Sequence, residues 1–86
     1  MRIVFHRGFK KKYKKLKTKE QKRVQQRLRL FVDNPASPVL NIHELKGAYQ
    51  GYLSMNMGGD LRALFHLIKK DIAFFIAIDT HNNLYE

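Results

Sequence analysis

The spacing of hydrophobic residues changes character along the chain, and each change marks an element. Arg2-Ile3-Val4-Phe5 reads as a short strand. Phe9, Tyr13 and Leu16 then recur at i, i+4 and i+7, the period of one helical face, with lysines filling the positions between them. Thr18-Lys19-Glu20-Gln21 has the Thr-x-x-Gln spacing of a capping box and predicts that a second helix starts at Thr18. Its apolar face carries Val24, Leu28, Phe31 and Val32. The helix stops at Asn34-Pro35, because proline disfavours helix in the residue before it. The two helices form a hairpin with an apolar inner face and a lysine-rich outer one.

After Pro38 short apolar segments alternate with glycine. Val39 to Leu45, Tyr52 to Met57, Leu61 to Ile68 and Ile72 to Ile78 read as four strands. Gly58-Gly59-Asp60 makes a tight turn, since glycine tolerates positive φ. Lys69-Lys70-Asp71 makes another. The last strand is apolar on both faces, with Ile72, Phe74 and Ile76 on one and Ala73, Phe75 and Ala77 on the other, so it belongs in the interior of the sheet. The expected class is α+β: one strand, a two-helix hairpin, then an antiparallel meander of about four strands, all in one domain over residues 1–86.

Charge adds a partner to this outline. The first 29 residues hold 13 of the 17 Lys and Arg and one acid, Glu20, so they carry +12 while the rest of the chain carries −2. A concentration of that size favours a polyanion or an acidic protein. Lys10, Lys11, Lys12, Lys14 and Lys15 lead this basic face and are the candidate RNA contacts on it. The chain lacks cysteine, which removes disulfides and thiolate metal sites and fits a reducing cytoplasm. No apolar run approaches the roughly 20 residues that span a bilayer. His6, His43, His66 and His81 fall in no metal-binding spacing, so neither a metal nor another cofactor is expected.

The candidate chemistry lies in the second half. His43-Glu44-Leu45-Lys46-Gly47 is followed by Gly58-Gly59-Asp60-Leu61-Arg62, and the chain closes on Thr80-His81-Asn82-Asn83-Leu84-Tyr85. Histidine moves protons near neutral pH, and arginine grips phosphate with a bidentate fork. A site of that kind, without a metal, suits RNA, whose 2′-hydroxyl is a built-in nucleophile. Taken singly, each residue has a plainer reading: His43 an edge-strand residue, Asp60 a turn aspartate, Arg62 a solvent-facing arginine and Tyr85 a lid on the core.

The order and spacing of these pieces resemble the YafQ branch of the RelE/ParE toxin superfamily, small mRNA interferases paired with antitoxins. The resemblance covers the second half of the chain well and the first half in general layout. It implies His43 in proton transfer or in orienting the 2′-hydroxyl, with Asp60 pairing with His43 or holding the RNA-binding loop. It further implies Arg62 on the scissile phosphate, Lys46 on a flanking one, His81 as general acid, and Tyr85 stacking on a base or orienting phosphate. The implied partners are a cognate antitoxin in a hetero-oligomer, and mRNA on the ribosome. There are departures. Asn56 stands where the family pattern has a second histidine, Ala77 where it has an arginine, and Leu61 where it has a tryptophan. His6 and His66 have no counterpart. Two rival readings follow: a ParE-like toxin that poisons DNA gyrase, and a RelE-fold RNA-binding module with impaired catalysis.

Overall fold

A computed structural model of the chain describes residues 1–85, with the side chain of Tyr85 outside the description. The strand β1 (Arg2–Phe5) leads into the helices α1 (Arg7–Lys15) and α2 (Thr18–Asp33). Four more strands follow: β2 (His43–Glu44), β3 (Leu53–Asn56), β4 (Leu61–Lys69) and β5 (Ile72–Thr80). A short helix, α3 (His81–Tyr85), ends the described chain. The sheet has the order β1-β5-β4-β3-β2 and is antiparallel except where β1 runs parallel to β5. The expected α+β class holds, with five strands in one sheet because β1 joins the meander. As expected, β5 is interior, flanked by β1 and β4.

Local chemistry explains the helix boundaries. His6 caps α1, its Nδ1 accepting from the backbone N–H of Gly8 at 2.9 Å. The cap of α2 lies one residue before the expected one: Lys17 N–H donates to the Glu20 carboxylate at 3.1 Å. Gln21 instead donates through Nε2 to Tyr13 O at 2.9 Å, and Gln25 donates to the Tyr13 hydroxyl, so both tie α2 back to α1. Val24 and Phe31 reach the core as predicted, while Val32 is 41% exposed, since it falls one position beyond the buried stripe.

The segment read as a strand from Val39 to Leu45 is a correction. Pro38–Leu40 forms a 3₁₀ turn that buries Leu40, and Asn41 closes it at φ +46°. Proline at the start and a left-handed residue at the end break the extended pattern, so only His43–Glu44 pairs with β3. At the other end β5 continues past Ile78 to Thr80.

The core lies between the helices and one face of the sheet. Phe65 and Phe75 stack at 4.8 Å between centroids, and Phe31 stands edge-on to both at 5.2 and 5.6 Å. Such pairs add about 0.5–1.5 kcal/mol each beyond burial. A bulge in β5 then re-aims the site strand. Phe65 is opposite Phe75, but Leu64 is opposite Ala77, so Ile76 is the extra residue. Without it Arg62 would face Ile78, a buried core residue; with it Arg62 faces Asp79.

Candidate active site

Three of the predicted residues meet at the turn between β3 and β4. Gly58 and Gly59 take φ of +99° and +55°, conformations that side chains with a Cβ rarely adopt. Asn56 initiates the turn, its side-chain oxygen accepting from Gly58 N–H at 2.8 Å. Asn56 is therefore engaged as a turn-former. Arg62 curls back onto the turn, its Nη1 donating to Gly59 O at 3.0 Å and to Leu61 O at 2.9 Å. His81 N–H donates to Asp60 O at 3.0 Å and fastens the start of α3 to the same turn. Asp60, Arg62 and His81 are thus gathered at this turn and the start of α3, with Asp60 exposed.

Cross-strand pairing sets the neighbours of Arg62. Asn56, Arg62 and Asp79 form one row across β3, β4 and β5. Asp79 was not among the predicted site residues, and the structure makes it a hub. One carboxylate oxygen accepts from Thr80 N–H at 2.8 Å and from Asn83 Nδ2 at 3.0 Å; the other pairs with Lys12 Nζ at 3.5 Å. Burial pushes its pKa up, but the bonds from Asn83 and Thr80 and the charge of Lys12 outweigh that and leave it below the usual aspartate value. Thr80 completes the cap of α3 by accepting from Asn83 N–H at 3.3 Å. A lone acid within an apolar strand, followed by threonine and two asparagines, was the available sequence signal.

His43 stands apart from this group. It pairs with Ser54 on the next row, so its Cα lies about 12 Å from that of Arg62 at ordinary sheet spacings. Asp60 and His43 do not pair. Instead, His43 Nδ1 lies 2.9 Å from Asn41 O. A carbonyl only accepts, so Nδ1 carries the hydrogen and the lone pair of the neutral ring is on Nε2. Lys46 is more distant still. Leu45 N–H donates to Tyr52 O at 3.0 Å, so Leu45 lies about 14 Å along the strand direction from Asn56 and Lys46 lies beyond it, past the start of β3. Tyr85 lies in α3, with its side chain outside the described residues.

The basic face divides as well. Lys10, Lys11, Lys14 and Lys15 are exposed on α1, whereas Lys12 turns to Asp79. The stems of Lys10 and Lys14 border an apolar groove of about 420 Å³ floored by Phe5, Phe9, Tyr13 and Leu28. The two unassigned histidines also find places. His6 is the α1 cap, and His66 stands between Tyr52 and Phe74, with ring centroids 5.3 and 5.7 Å away. Leu61 is buried in the core.

No protein-family model matches the chain, and no curated protein sequence matches it. Its structure does have relatives. YafQ from E. coli strain BL21(DE3) superposes with a TM-score of 0.80 at 20% identity over 100% of both chains. The E. coli DinJ-YafQ toxin-antitoxin complex contains a chain matching at 0.77 and 19% identity, covering 98% of this chain and 96% of that one. A YoeB/ParE toxin from Agrobacterium tumefaciens matches at 0.76 and 16% identity, over 94% and 99%. The chain has the RelE-like fold of these YafQ and YoeB toxins, end to end.

Proposed function

We propose that this chain is the toxin of a type II toxin–antitoxin pair and a metal-independent endoribonuclease that cleaves mRNA, working on the ribosome in the cytoplasm. The observation that carries the reading is the gathering of Asp60, Arg62 and His81 around one glycine turn, in a chain with the YafQ-like fold. Among the described residues only Nη1 of Arg62 is engaged by the backbone, which leaves its remaining guanidinium donors for a phosphate.

The chemistry is transesterification within the RNA. The 2′-hydroxyl oxygen attacks the adjacent phosphorus, its proton passing to a base, and the bond from phosphorus to the 5′-oxygen breaks. His43 Nε2, with its tautomer set by Asn41, is the base or the group that orients the hydroxyl. His81 gives its ring proton to the departing 5′-oxygen, and Arg62 offsets the charge gathering on the phosphate. The products are a 2′,3′-cyclic phosphate, or the 3′-phosphate it opens to, and a 5′-hydroxyl. Asp60 contributes its backbone carbonyl, which holds His81 in place.

The exposed lysines of α1 supply sequence-independent attraction to ribosomal or messenger RNA. They also complement an acidic antitoxin, and the DinJ-YafQ complex supports a cognate partner of that kind. His81→Ala tests the reading. We expect loss of growth arrest and about a 10²- to 10⁴-fold fall in cleavage of a reporter message, with folding and antitoxin binding retained. Full toxicity from a folded His81→Ala protein would remove His81 from the mechanism. The engagement of Asn56 in the turn and the alanine at 77 favour one alternative, an RNA-binding module that holds its message without cutting it. Bound but intact RNA would identify it.

A further inference from the structure

The charge around the β3–β4 turn does not balance in favour of RNA if only the residues above are counted. Asp60 and Arg62 cancel, and so do Asp79 and Lys12. Ala77 brings no cation from β5. A further cation at the turn, Arg27, is occupied by the Val39 and Asn56 carbonyls.

Arg23 changes that balance. It reaches from α2 across both glycines of the turn. A Cβ placed on Gly58 would lie 3.1 Å from Arg23 Cδ, and one on Gly59 would lie 3.1 Å from Nη1 and 3.7 Å from both Cζ and Nη2. The guanidinium therefore lies across Gly59, the residue whose carbonyl accepts from Arg62 Nη1 at 3.0 Å. Two guanidiniums share one glycine. The next arginine along the helix is used differently: Arg27 Nη1 donates to Val39 O at 3.2 Å and to Asn56 O at 3.3 Å, stapling α2 to the sheet. Among the described residues, Arg23 has no such bond or ion pair.

We propose that Arg23 and Arg62 together grip one RNA phosphate at the Gly58-Gly59 turn, Arg23 supplying from α2 a guanidinium that, unlike that of Arg27, is not taken up by backbone carbonyls. The proposal rests on the RNA-cleaving reading and adds to it a binding residue from the first half of the chain. It also gives the paired glycines a second purpose. A Cβ at either position would press on Arg23 at 3.1 Å, so the turn is bare where the guanidinium crosses it.

The test compares Arg23→Gln with Lys22→Gln, which removes the same charge from the adjacent exposed position of α2. Cleavage of a reporter message is measured with purified ribosomes, and binding is measured to a single-stranded RNA carrying 2′-O-methyl groups throughout, which cannot be cut. Arg23→Gln should lower kcat/KM by about 10- to 100-fold, less than a fully buried charge donor would. It should also reduce the slope of log affinity against log salt by about 0.7, the loss of one phosphate contact on a single strand. Arg23→Met keeps the apolar stem over Gly58 and should retain the wild-type melting temperature while matching Arg23→Gln in RNA binding. A residue that only buttressed the turn would leave the salt slope unchanged. If wild-type protein cleaves and Arg23→Gln behaves like Lys22→Gln, the Arg23 assignment alone is overturned. If wild-type protein neither cleaves nor binds, both readings are overturned.

Discussion

Replacing Arg62 separates what its guanidinium does for the fold from what it does for phosphate. In the fold it makes two hydrogen bonds through one nitrogen, to Gly59 O and Leu61 O, at a half-buried position. Bonds of this kind are worth about 0.5–1.5 kcal/mol each, so Arg62→Ala should lose about 1–3 kcal/mol of stability. That is a visible shift of the urea midpoint, not an unfolded protein. In the reaction the same group offsets the charge of the pentavalent phosphate, and loss of such a donor typically costs about 10²- to 10³-fold in rate. Arg62→Lys restores a charge but not the fork. An ammonium satisfying the turn carbonyls has turned away from the phosphate, and one facing the phosphate has left them. Both variants should therefore cleave a reporter message poorly, as mapped by primer extension, while folding and binding the antitoxin. Near-normal cleavage by folded Arg62→Ala would refute this placement of the phosphate and move it toward Arg23 or the lysines of α1.

Neutralising Lys10, Lys11, Lys14 and Lys15 together should weaken RNA or ribosome binding and flatten its salt dependence, with little change in melting temperature, because all four are exposed. An unchanged salt slope would assign that face to the antitoxin. Asp79 has a lowered pKa in the folded state, so its contribution to stability is present above the aspartate's unfolded value and is lost as pH falls through the folded one. Asp79→Asn should be less stable than wild type at pH 7, with the gap closing below about pH 4. A gap that persists unchanged into acid, followed by urea titration at each pH, would show that the carboxylate charge is not the stabilising feature.

Much of the outline was legible because it rests on local chemistry. The period of Phe9, Tyr13 and Leu16, the stop at Asn34-Pro35 and the paired glycines at 58 and 59 each carry their own instruction, and each element formed where they point. The features that escaped are set at longer range or by competition. Parallel pairing of Arg2–Phe5 with Ile72–Phe75 joins the two ends of the chain and leaves no periodic trace. Val39 and Leu40 have strand-like composition, but Pro38 and Asn41 turned the segment into a 3₁₀ turn. Gln21 had the spacing of a capping residue, but the Glu20 carboxylate took the Lys17 N–H while the Gln21 amide went to α1. In the candidate site, the residue types and order of Asp60, Arg62 and His81 were readable. The bulge at Ile76 that turns Asp79 toward Arg62 was not, nor was the reach of Arg23 from α2. A basic run on a helix looks alike at every position until the fold sets one arginine against a glycine turn.

The chemistry of the cut ends distinguishes attack by the 2′-hydroxyl from every other route to arrest. A reporter message is incubated with purified protein and ribosomes, and the fragments are analysed for their termini beside a message carrying a single 2′-deoxynucleotide on the 5′ side of the cut. Transesterification gives 5′-hydroxyl ends opposite 2′,3′-cyclic phosphate or 3′-phosphate ends, and no cleavage where the 2′-hydroxyl is missing. Fragments with 5′-phosphate ends, cleavage at the 2′-deoxy position, or an intact message alongside arrested DNA gyrase would contradict it.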